Sequence, residues 1–472
     1  MSLSRLWIFL AVALPVLASL IATLSTVDLT YHLRAGAGIL ASGTIPATDT
    51  WTFTAAGLPW VDQQWGAEVI LAAVERLGGW TGLVVARAAL VGLIFGGLVV
   101  VGRKRGLDGR TAALLSLAAF VVAAPALALR PQLLGMALFA VVLVLVVRRR
   151  SHPRALWLAP LVVLLWANVH GSFLLGPLVL GISWLEDVHE RVERPYTTLV
   201  VAIVSAIAAC VTPFGPQVWV YAVALSTNPE VTARISEWQP TSLRDPIGIL
   251  FFASVAAIGI LVARRGRVVA YPTLLLLGVF LVIGVYAERG VAWWPLGAVA
   301  GIAGTIVTPA RVADSQRREP TLLRRLNTVV AGVLVVAMVA LLPVWRAVDP
   351  RTGAPPGTLT DAPAGLTAAL RDVAGPGDRL FNPQRWGSWF EYALPSLPVA
   401  IDSRIEFFPP EVWRHYTGVL AGADGWSAQL DEWGVTIAVL EAANEAFGDR
   451  LRQDGWDVTF EDEDGAIYDR RP

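Results

Sequence analysis

Long apolar runs, separated by short polar segments, fill the first 349 residues of the chain. A helix that crosses a bilayer needs about 20 consecutive apolar residues. We predict a transmembrane helix in each of eleven runs of roughly this kind: 6–26, 79–102, 111–128, 132–148, 155–169, 172–185, 197–213, 247–263, 269–287, 290–308 and 326–346. The fifth and sixth runs are short. The membrane domain is therefore expected to span residues 1–349.

The remaining residues, 350–472, carry the pattern of a small α/β domain. The stretch VTIAVLE from Val435 predicts a buried strand, and RLFNP and VAIDSR predict two earlier strands. Residues 441–455 have the period of an amphipathic helix that ends at Gly455. Two closing strands are expected in WDVTFED and AIYDRR. The predicted fold class is a polytopic α-helical membrane protein of about eleven transmembrane helices with a C-terminal α/β domain.

Composition supports a membrane protein and excludes several other classes. The chain is 55% hydrophobic and 16% charged, whereas soluble domains carry about 25% charged residues. A single cysteine, Cys210, excludes a disulfide framework and a cysteine-based zinc site. The formal net charge is zero, so no nucleic-acid partner is expected.

The basic residues are distributed unevenly, and this asymmetry orients the spans. Residues 1–350 contain 27 basic and 17 acidic side chains, whereas residues 351–472 contain 10 and 20. Cytoplasmic loops are rich in Lys and Arg, and a cytoplasmic N-terminus places 19 of the 27 in inside loops. Loops 27–66 and 214–246 and the C-terminal domain, 350–472, are then extracytoplasmic. Alternatively, the first run is a cleaved signal peptide, which would leave ten spans.

The first outer loop begins with charged residues directly after the first span. On a helix, Asp28 and His32 are four residues apart and share a face, and Arg34 follows within the same two turns. Further along, Asp62 and Glu68 flank a pair of tryptophans, which are frequent at membrane surfaces. The alternative is an interfacial amphipathic helix whose charges face lipid headgroups.

Ionisable side chains also lie within or beside the apolar runs. Arg87 falls inside the second run, His170 closes the fifth, and Glu288 and Arg289 lie between two runs. Such groups are costly in a bilayer and often mark functional sites. Each has a local alternative: an interhelical hydrogen bond for His170, a surface turn for the Glu288–Arg289 pair, and extension to the membrane surface for Arg87.

Two further places combine polar groups with tryptophan. In the second outer loop, Glu237 precedes Trp238, which suits a sugar or phosphate and equally suits a helix facing headgroups. In the C-terminal domain, the triplets 385–387 and 402–404 lie at predicted strand ends, where α/β domains bind ligands. A structural salt bridge and a turn are the alternative there. The sequence contains no P-loop, GxSxG, HExxH or Rossmann glycine pattern.

The chain resembles the GT-C superfamily of membrane glycosyltransferases, which use a polyprenyl-phosphate-linked sugar as donor. This superfamily includes protein O-mannosyltransferases, aminoarabinose transferases and lipopolysaccharide core transferases of the RgtA/B/C/D-like group. The resemblance rests on the arrangement of spans and outer loops and on short strings: the loop from Asp28 to Asp49, then WANVHGSF, ISEWQP, NPQRWGSWFEY and VAIDSR. It covers nearly the whole chain.

The resemblance implies that Asp28, which follows the first span, is the general base or positions the acceptor. Many members carry a second acidic residue next to it, but here the neighbours are Val27 and Leu29. Asp49 is the second catalytic candidate, with Asp62 and Glu68 as further replacements. This departure leaves a requirement for a divalent metal open, and we assign no metal ligand and no cofactor.

The chemistry of a lipid-phosphate leaving group explains the cationic candidates. Cations can neutralise such a group without a metal, and Arg binds phosphate through two parallel hydrogen bonds. We expect substrate or lipid-phosphate binding by a set of loop and span residues: His32, Arg34, Asp62, Glu68, Arg87, His170, Glu237 and Arg289. A single carboxylate base with direct displacement at the anomeric carbon would invert its configuration.

The expected function is transfer of a sugar from a polyprenyl-phosphate donor to an envelope glycan, lipid or protein acceptor. The expected location is the bacterial plasma (inner) membrane, with the bilayer itself as a partner and the transfer on its outer face. Two alternatives stay open. One is a transporter or flippase of a lipid-linked intermediate, which internal inverted repeats would favour. The other is a non-catalytic envelope-assembly protein on the same scaffold.

Overall fold

The computed structural model describes residues 1–226, 232, 235–266, 269–306 and 319–470. Four arginines that the orientation argument counts on the inside lie outside the described residues: Arg267, Arg311, Arg317 and Arg318. Part of the second outer loop around Ala233 also lies outside them.

The described chain forms two compact units. The first unit contains Met1–Ala22 and Val84–Trp345, and the second contains Thr23–Leu83 and Arg346–Pro472. The first outer loop therefore packs within the same unit as the C-terminal segment. The predicted division of the chain into a membrane domain, 1–349, and a soluble domain, 350–472, stays a prediction.

The first unit is helical. Its helices are Leu3–Ile21, the second half of Trp65–Lys104, Gly109–Ala123, Pro131–Arg148, Pro153–Leu156, Ala159–Ala167, Leu175–His189, Tyr196–Ala208, Gln217–Ser226, Pro246–Arg265, Tyr271–Tyr286, Trp294–Ile302 and Thr321–Ala340. Each of the eleven predicted runs coincides with one of them, and Gln217–Ser226 is an additional helix in the second outer loop. Within the described residues, seven helices are long and apolar enough to cross a membrane, and three further apolar helices are shorter. The protein is thus a polytopic membrane protein, while the count of eleven spans stays a prediction.

The helix Trp65–Lys104 has a kink where the second predicted run begins. Gly79 has φ 57° and ψ −154° inside this helix, a conformation that only glycine adopts without steric cost. The apolar run therefore starts after the kink, and the turns before it, from Trp65, belong to the second unit together with the outer loop.

The second unit combines helices with a small mixed sheet. Its helices are Thr26–Ser42, the first half of Trp65–Lys104, Ala364–Val373, Gln384–Ala393, Pro410–Leu420, Trp426–Glu432 and Glu445–Gln453. Four strands form one sheet in the spatial order Leu380–Phe381, Ile437–Glu441, Gly465–Asp469 and Asp457–Glu461. The first pair is parallel and the other two are antiparallel. A separate parallel pair joins Leu24–Ser25 to Leu359–Thr360.

Most of the predicted C-terminal elements are present, but one strand is wrong. VAIDSR does not form a strand; Val399 makes only isolated bridges to Leu380 and Thr52. The reason is that Asp402 turns back to accept a hydrogen bond from the backbone N–H of Arg404, which ends the extended pairing. The predicted helix 441–455 is shorter than expected, since a 3₁₀ turn occupies its first residues.

Candidate functional site

The helix Thr26–Ser42, which we call the loop helix, carries the residues first expected at the site. Its start is fixed by two hydroxyl groups that both bind Asp361: Ser25 Oγ donates to the carboxylate at 3.1 Å, and Thr26 Oγ1 donates to the backbone carbonyl at 2.7 Å. Gly43, with φ 70°, ends the helix, as glycine commonly does after a last turn. The side chains of the loop helix are thereby held in fixed positions.

Asp28 lies in the first turn of the loop helix and is half-buried. His32 is one turn further along the same face and is only 2% exposed. The loop helix thus presents a carboxylate and an imidazole side by side.

A histidine and two carboxyl groups lie together beneath this face. His32 Nδ1 is 2.9 Å from Glu68 Oε1, and Asp62 is within hydrogen-bonding range of Glu68. All three side chains are at least 97% buried. Burial raises the pKa of Asp62 to about 6, against the opposing effect of its hydrogen bonds with Glu68 and with the backbone of Gln64. We call His32, Asp62 and Glu68 the loop triad.

The loop helix approaches the triad closely because of one glycine. A Cβ at Gly36 would overlap the backbone carbonyl of Glu68 and lie 2.8 Å from the Cβ of Ala72. Only a residue without a side chain allows the two helices to come this near. Gly36 therefore sets the distance at which His32 meets Glu68.

Tyr31 borders the triad and shares its electrostatic field. Its ring centroid is 3.9 Å from that of His32. Burial raises the pKa of the Tyr31 hydroxyl well above its usual value, and four carboxylates add to the effect: Asp28, Glu406, Glu68 and Asp62. Tyr31 is therefore a neutral hydroxyl in an acidic environment.

A second buried cluster surrounds Arg404. Its guanidinium contacts Asp402 through Nε at 2.9 Å and Asp49 through Nη2 at 2.6 Å. Three aromatic rings have centroids within 4.8 Å of its Cζ atom: Trp51, Trp60 and Phe407. Burial lowers the pKa of Arg404, but the carboxylates of Asp402 and its neighbours raise this pKa by more than burial lowers it. The guanidinium therefore stays charged. The salt-bridge alternative for Asp402 and Arg404 is what the structure shows.

Arg34 belongs to the same part of the unit. It donates to the backbone carbonyls of Glu391 at 2.9 Å and Pro395 at 3.1 Å, and its Cζ lies 4.9 Å from the centroid of Trp51. Burial lowers the pKa of Arg34, with Glu391 acting in the opposite direction. Burial, and then the charge of Asp402, raise the pKa of the Glu391 carboxyl well above its usual range. Phosphate binding by Arg34 stays a prediction, since two of its donors already hold the helix end.

The other predicted site residues lie in the first unit. Arg87 is buried and donates to the backbone carbonyls of Ser19 and Ala22 at the end of the first helix. His170 accepts from the backbone N–H of Ser172 at 3.1 Å and lies 2.7 Å from its hydroxyl.

An open pocket of about 500 Å³ in the first unit brings together residues from two predicted places, the second outer loop and the Glu288–Arg289 pair. Arg130 Nη1 is 3.0 Å from Glu237 Oε1, and the guanidinium of Arg289 lies 5.3 Å from the ring centroid of Trp238. Burial, with the charges of nearby carboxylates, raises the pKa of Glu288. Arg130 was not among the sequence-based candidates, although it precedes a proline between two runs, as a loop cation would.

The sequence thus identified most members of the site but not their grouping. Asp28 and the loop triad lie in one cluster, and Asp49 lies in the Arg404 cluster. Tyr31 and Glu391 were missed, although each lies within a string used for the resemblance. Among the described residues, no group of three or more His, Cys, Asp or Glu side chains is arranged to hold a metal ion.

Comparisons with known proteins identify the fold. No protein-family model matches the chain, and no curated protein matches it. The fold is similar to the archaeal oligosaccharyltransferase AglB from Archaeoglobus fulgidus, in complex with an inhibitory peptide and a dolichol-phosphate: the TM-score is 0.59, the identity 11%, and the match covers 93% of this chain and 69% of that one.

It is also similar to ArnT from Cupriavidus metallidurans. The apo structure gives a TM-score of 0.54 at 16% identity over 98% of this chain and 97% of that one. The structure bound to undecaprenyl phosphate gives 0.51 over the same shares. The GT-C-like fold that the sequence resemblance implied is therefore confirmed.

Proposed function

We propose that this protein is a membrane glycosyltransferase that moves a sugar from a polyprenyl-phosphate donor to an acceptor on the outer face of the membrane. The observation that carries the proposal is Asp28, a half-buried carboxylate at the N-terminus of the loop helix, directly after the first span and beside a buried imidazole. The fold similarity supports it, because two of the similar structures contain a dolichol-phosphate or undecaprenyl phosphate.

Asp28 has the properties that a general base needs for this reaction. Its carboxylate lies at a helix N-terminus, and partial burial limits the water that competes with the acceptor for the sugar. The acceptor oxygen bonds to the anomeric carbon while its proton moves to Asp28. The bond between that carbon and the phosphate oxygen breaks, and the electron pair leaves with the lipid phosphate. One such displacement inverts the configuration of the sugar.

Among the arginines expected at the lipid phosphate, Arg289 is the best suited. Arg87 uses its guanidinium on helix carbonyls, and Arg34 does the same at another helix end. Arg289 lines the open pocket, and its guanidinium lies beside Trp238. A guanidinium held on an aromatic ring keeps its donors directed to the side, where a phosphate can accept two of them.

We also propose the orientation and the location that the arginine asymmetry favours. The N-terminus is cytoplasmic, the C-terminal domain is extracytoplasmic, and the membrane is the bacterial plasma membrane. The acceptor is then an envelope glycan, lipid or protein that is accessible from outside. The residues proposed for the chemistry precede or follow spans on that side.

Replacement of Asp28 tests the proposal directly. Asp28→Asn keeps the size of the side chain and removes its charge, so transfer should fall by about 10²-fold or more, the usual contribution of a general base. The assay follows release of polyprenyl phosphate from a labelled undecaprenyl-phosphate sugar in proteoliposomes supplied with envelope extract. Asp372→Asn, an exposed aspartate in the same unit, is the matched control and should retain wild-type activity.

The possible results separate the functional hypotheses. Turnover of Asp28→Asn equal to that of the wild type would remove Asp28 from the mechanism. Movement of the labelled lipid between leaflets without release of its sugar would favour the transporter hypothesis instead. Normal membrane insertion of both variants, checked by carbonate extraction, ensures that a lost activity reflects chemistry.

A further inference from the structure

The loop triad has a feature that substrate binding does not explain. Its three ionisable side chains are between 1% and 3% exposed. Within the described part of the chain, Asp62 Oδ2 and Glu68 Oε2 are buried without a hydrogen-bond partner. A buried oxygen that is left without a partner destabilises the folded state. The site therefore requires a small species that interacts favourably with both of these carboxyl oxygens.

A proton meets this requirement. Asp62 and Glu68 are within hydrogen-bonding range, and two ionised carboxylates offer each other only lone pairs. Two such groups at this distance cannot both ionise, so the pair retains one proton and titrates as a unit. A single proton between them satisfies both oxygens.

His32 gives the pair a connection to the loop helix. Its Nδ1 is 2.9 Å from Glu68 Oε1. The proton of the carboxyl pair lies between Glu68 and Asp62, so Oε1 accepts and the neutral ring carries its proton on Nδ1. Nε2 is then the basic nitrogen of the ring. Asp28 is one turn away on the same helix face, so the imidazole lies between the proposed base and the carboxyl pair along this helix.

The charged and titratable groups facing the triad come from each element packed against it. The loop helix contributes Asp28 and Tyr31, and the segment after the Asp402 turn contributes two more charges of opposite sign, Arg404 and Glu406. Arg404 is already balanced by Asp49 and Asp402. Its charge therefore does not remove the need for a proton in the triad.

We propose that His32, Glu68 and Asp62 form a proton relay that receives the acceptor's proton from Asp28. This inference rests on the proposed function. The proton taken up by Asp28 passes to Nε2 of His32, and the resulting imidazolium keeps donating from Nδ1 to Glu68. The Asp62–Glu68 pair, with one proton and one negative charge, stabilises the imidazolium until its proton is released to water. No other group is oxidised, reduced or consumed.

The relay makes a specific distinction between its two carboxyls. Burial raises the pKa of Glu68 well above its usual range, so Glu68 holds the proton of the pair, and the backbone of Gln64 stabilises Asp62 as the anion. Asp62→Asn therefore removes the negative charge that stabilises the imidazolium. The amide of Glu68→Gln still offers an oxygen to His32 and an N–H to Asp62, so this variant should lower transfer less than Asp62→Asn does. A purely structural role would make the two variants behave alike.

Infrared spectroscopy detects the shared proton without any activity. A protonated carboxyl has a C=O stretch that is separate from that of a carboxylate. The difference spectrum of wild type minus Glu68→Gln at pH 7 should contain this band; a difference is needed because Glu391 contributes one of its own. The band should also grow in the wild type as pH falls through about 6, where Asp62 titrates.

The transfer assay then tests the role of the relay. Asp62→Asn should lower kcat by about 10²-fold, whereas Glu68→Gln, which keeps both hydrogen bonds, should lower it by about tenfold. Wild-type transfer should rise with pH through about 6, because the pair gains its negative charge there, and Asp62→Asn should lose this pH dependence. The control is Glu75→Gln, the same change two turns further along the same helix, with wild-type transfer and an unchanged carboxyl band.

Failure of the relay and failure of the proposed function give different results. Absence of the carboxyl band from the difference spectrum overturns the relay whatever the transfer rate. Transfer by Asp62→Asn at the wild-type rate also overturns it and leaves the glycosyltransferase proposal standing. Absence of transfer by the wild type, with the band present, removes the proposed function and with it the relay's role in transfer.

Discussion

Arg404 is a buried cation whose charge is balanced by two carboxylates and whose guanidinium lies among three aromatic rings. It is 2% exposed, and Asp402 and Asp49 are similarly buried. A cation taken so far out of water is retained only when its partners remain in place. The cluster therefore fixes the position of the first loop, which supplies Asp49 together with Trp51 and Trp60, in the second unit.

Removal of this cation should destabilise the protein strongly. Arg404→Met keeps much of the side-chain volume but leaves Asp49 and Asp402 as uncompensated buried charges, which costs about 3–5 kcal/mol. The measurement is thermal unfolding in detergent, followed by tryptophan fluorescence. Arg452→Met, which removes an exposed cation paired with Asp449, is the control and should cost less than about 1 kcal/mol. Equal unfolding temperatures for the two variants would contradict a structural role for Arg404.

At the scale of elements, the contact between the loop helix and the first half of Trp65–Lys104 decides the geometry of the triad. Gly36 lies against the backbone of Glu68, whereas Gly38 on the same helix has no atom within 4 Å of an added Cβ among the described residues. Both glycines lie inside the loop helix, so alanine has the same effect on helix propensity at either position, and only the surroundings of the two positions differ. Alanine substitutions at Gly36 and Gly38 therefore form a matched pair, in which each variant is the control for the other.

Gly36→Ala should push the two helices apart, since its methyl group would overlap the Glu68 carbonyl. Overpacking of this kind costs about 1–3 kcal/mol, and the longer distance between His32 and Glu68 should lower transfer. Gly38→Ala should be neutral or stabilising by about 0.5–1 kcal/mol, because alanine favours the helix. Thermal unfolding and the transfer assay measure both effects. A Gly36→Ala variant as stable as Gly38→Ala would show that the helices are further apart than described.

The kink at Gly79 is the second feature of this scale. It interrupts Trp65–Lys104 four residues before the boundary between the two compact units, which lies after Leu83. Hydropathy located the kink indirectly, as the start of an apolar run at residue 79. The helix before it went unpredicted, because its apolar positions are interrupted by Glu68, Glu75 and Arg76.

At the scale of the whole molecule, the arginine asymmetry makes a prediction about orientation. Nineteen of the 27 basic residues before residue 351 fall on one side when the N-terminus is inside, which is the pattern of a cytoplasmic face. A reporter fused after Pro472 should therefore be active only if it is an enzyme that works outside the cytoplasm, such as alkaline phosphatase. A fusion to a cytoplasmic reporter is the matched control and should be inactive. The reverse result would mean that the number of spans is even.

The sequence by itself determined the helical membrane class, the positions of the apolar helices and the identity of most polar site residues. These properties depend on local composition and period: a span needs a long apolar run, and the spacing of Asp28 and His32 defines one helix face. The fold similarity agrees with this level of description, as does the match between predicted runs and observed helices.

Only the tertiary structure decided which of these residues meet. His32 and Glu68 are in contact although they are 36 positions apart in the chain, and Asp49 and Arg404 are in contact although they are 355 positions apart. No local pattern encodes such pairings. The same applies to VAIDSR, whose strand-like sequence gives way to a turn because Arg404 is drawn to buried carboxylates. The local period of apolar residues decides whether a segment forms a helix or a strand. Where that segment lies in the fold depends on its buried charges, because each of them needs a partner that is often far along the chain.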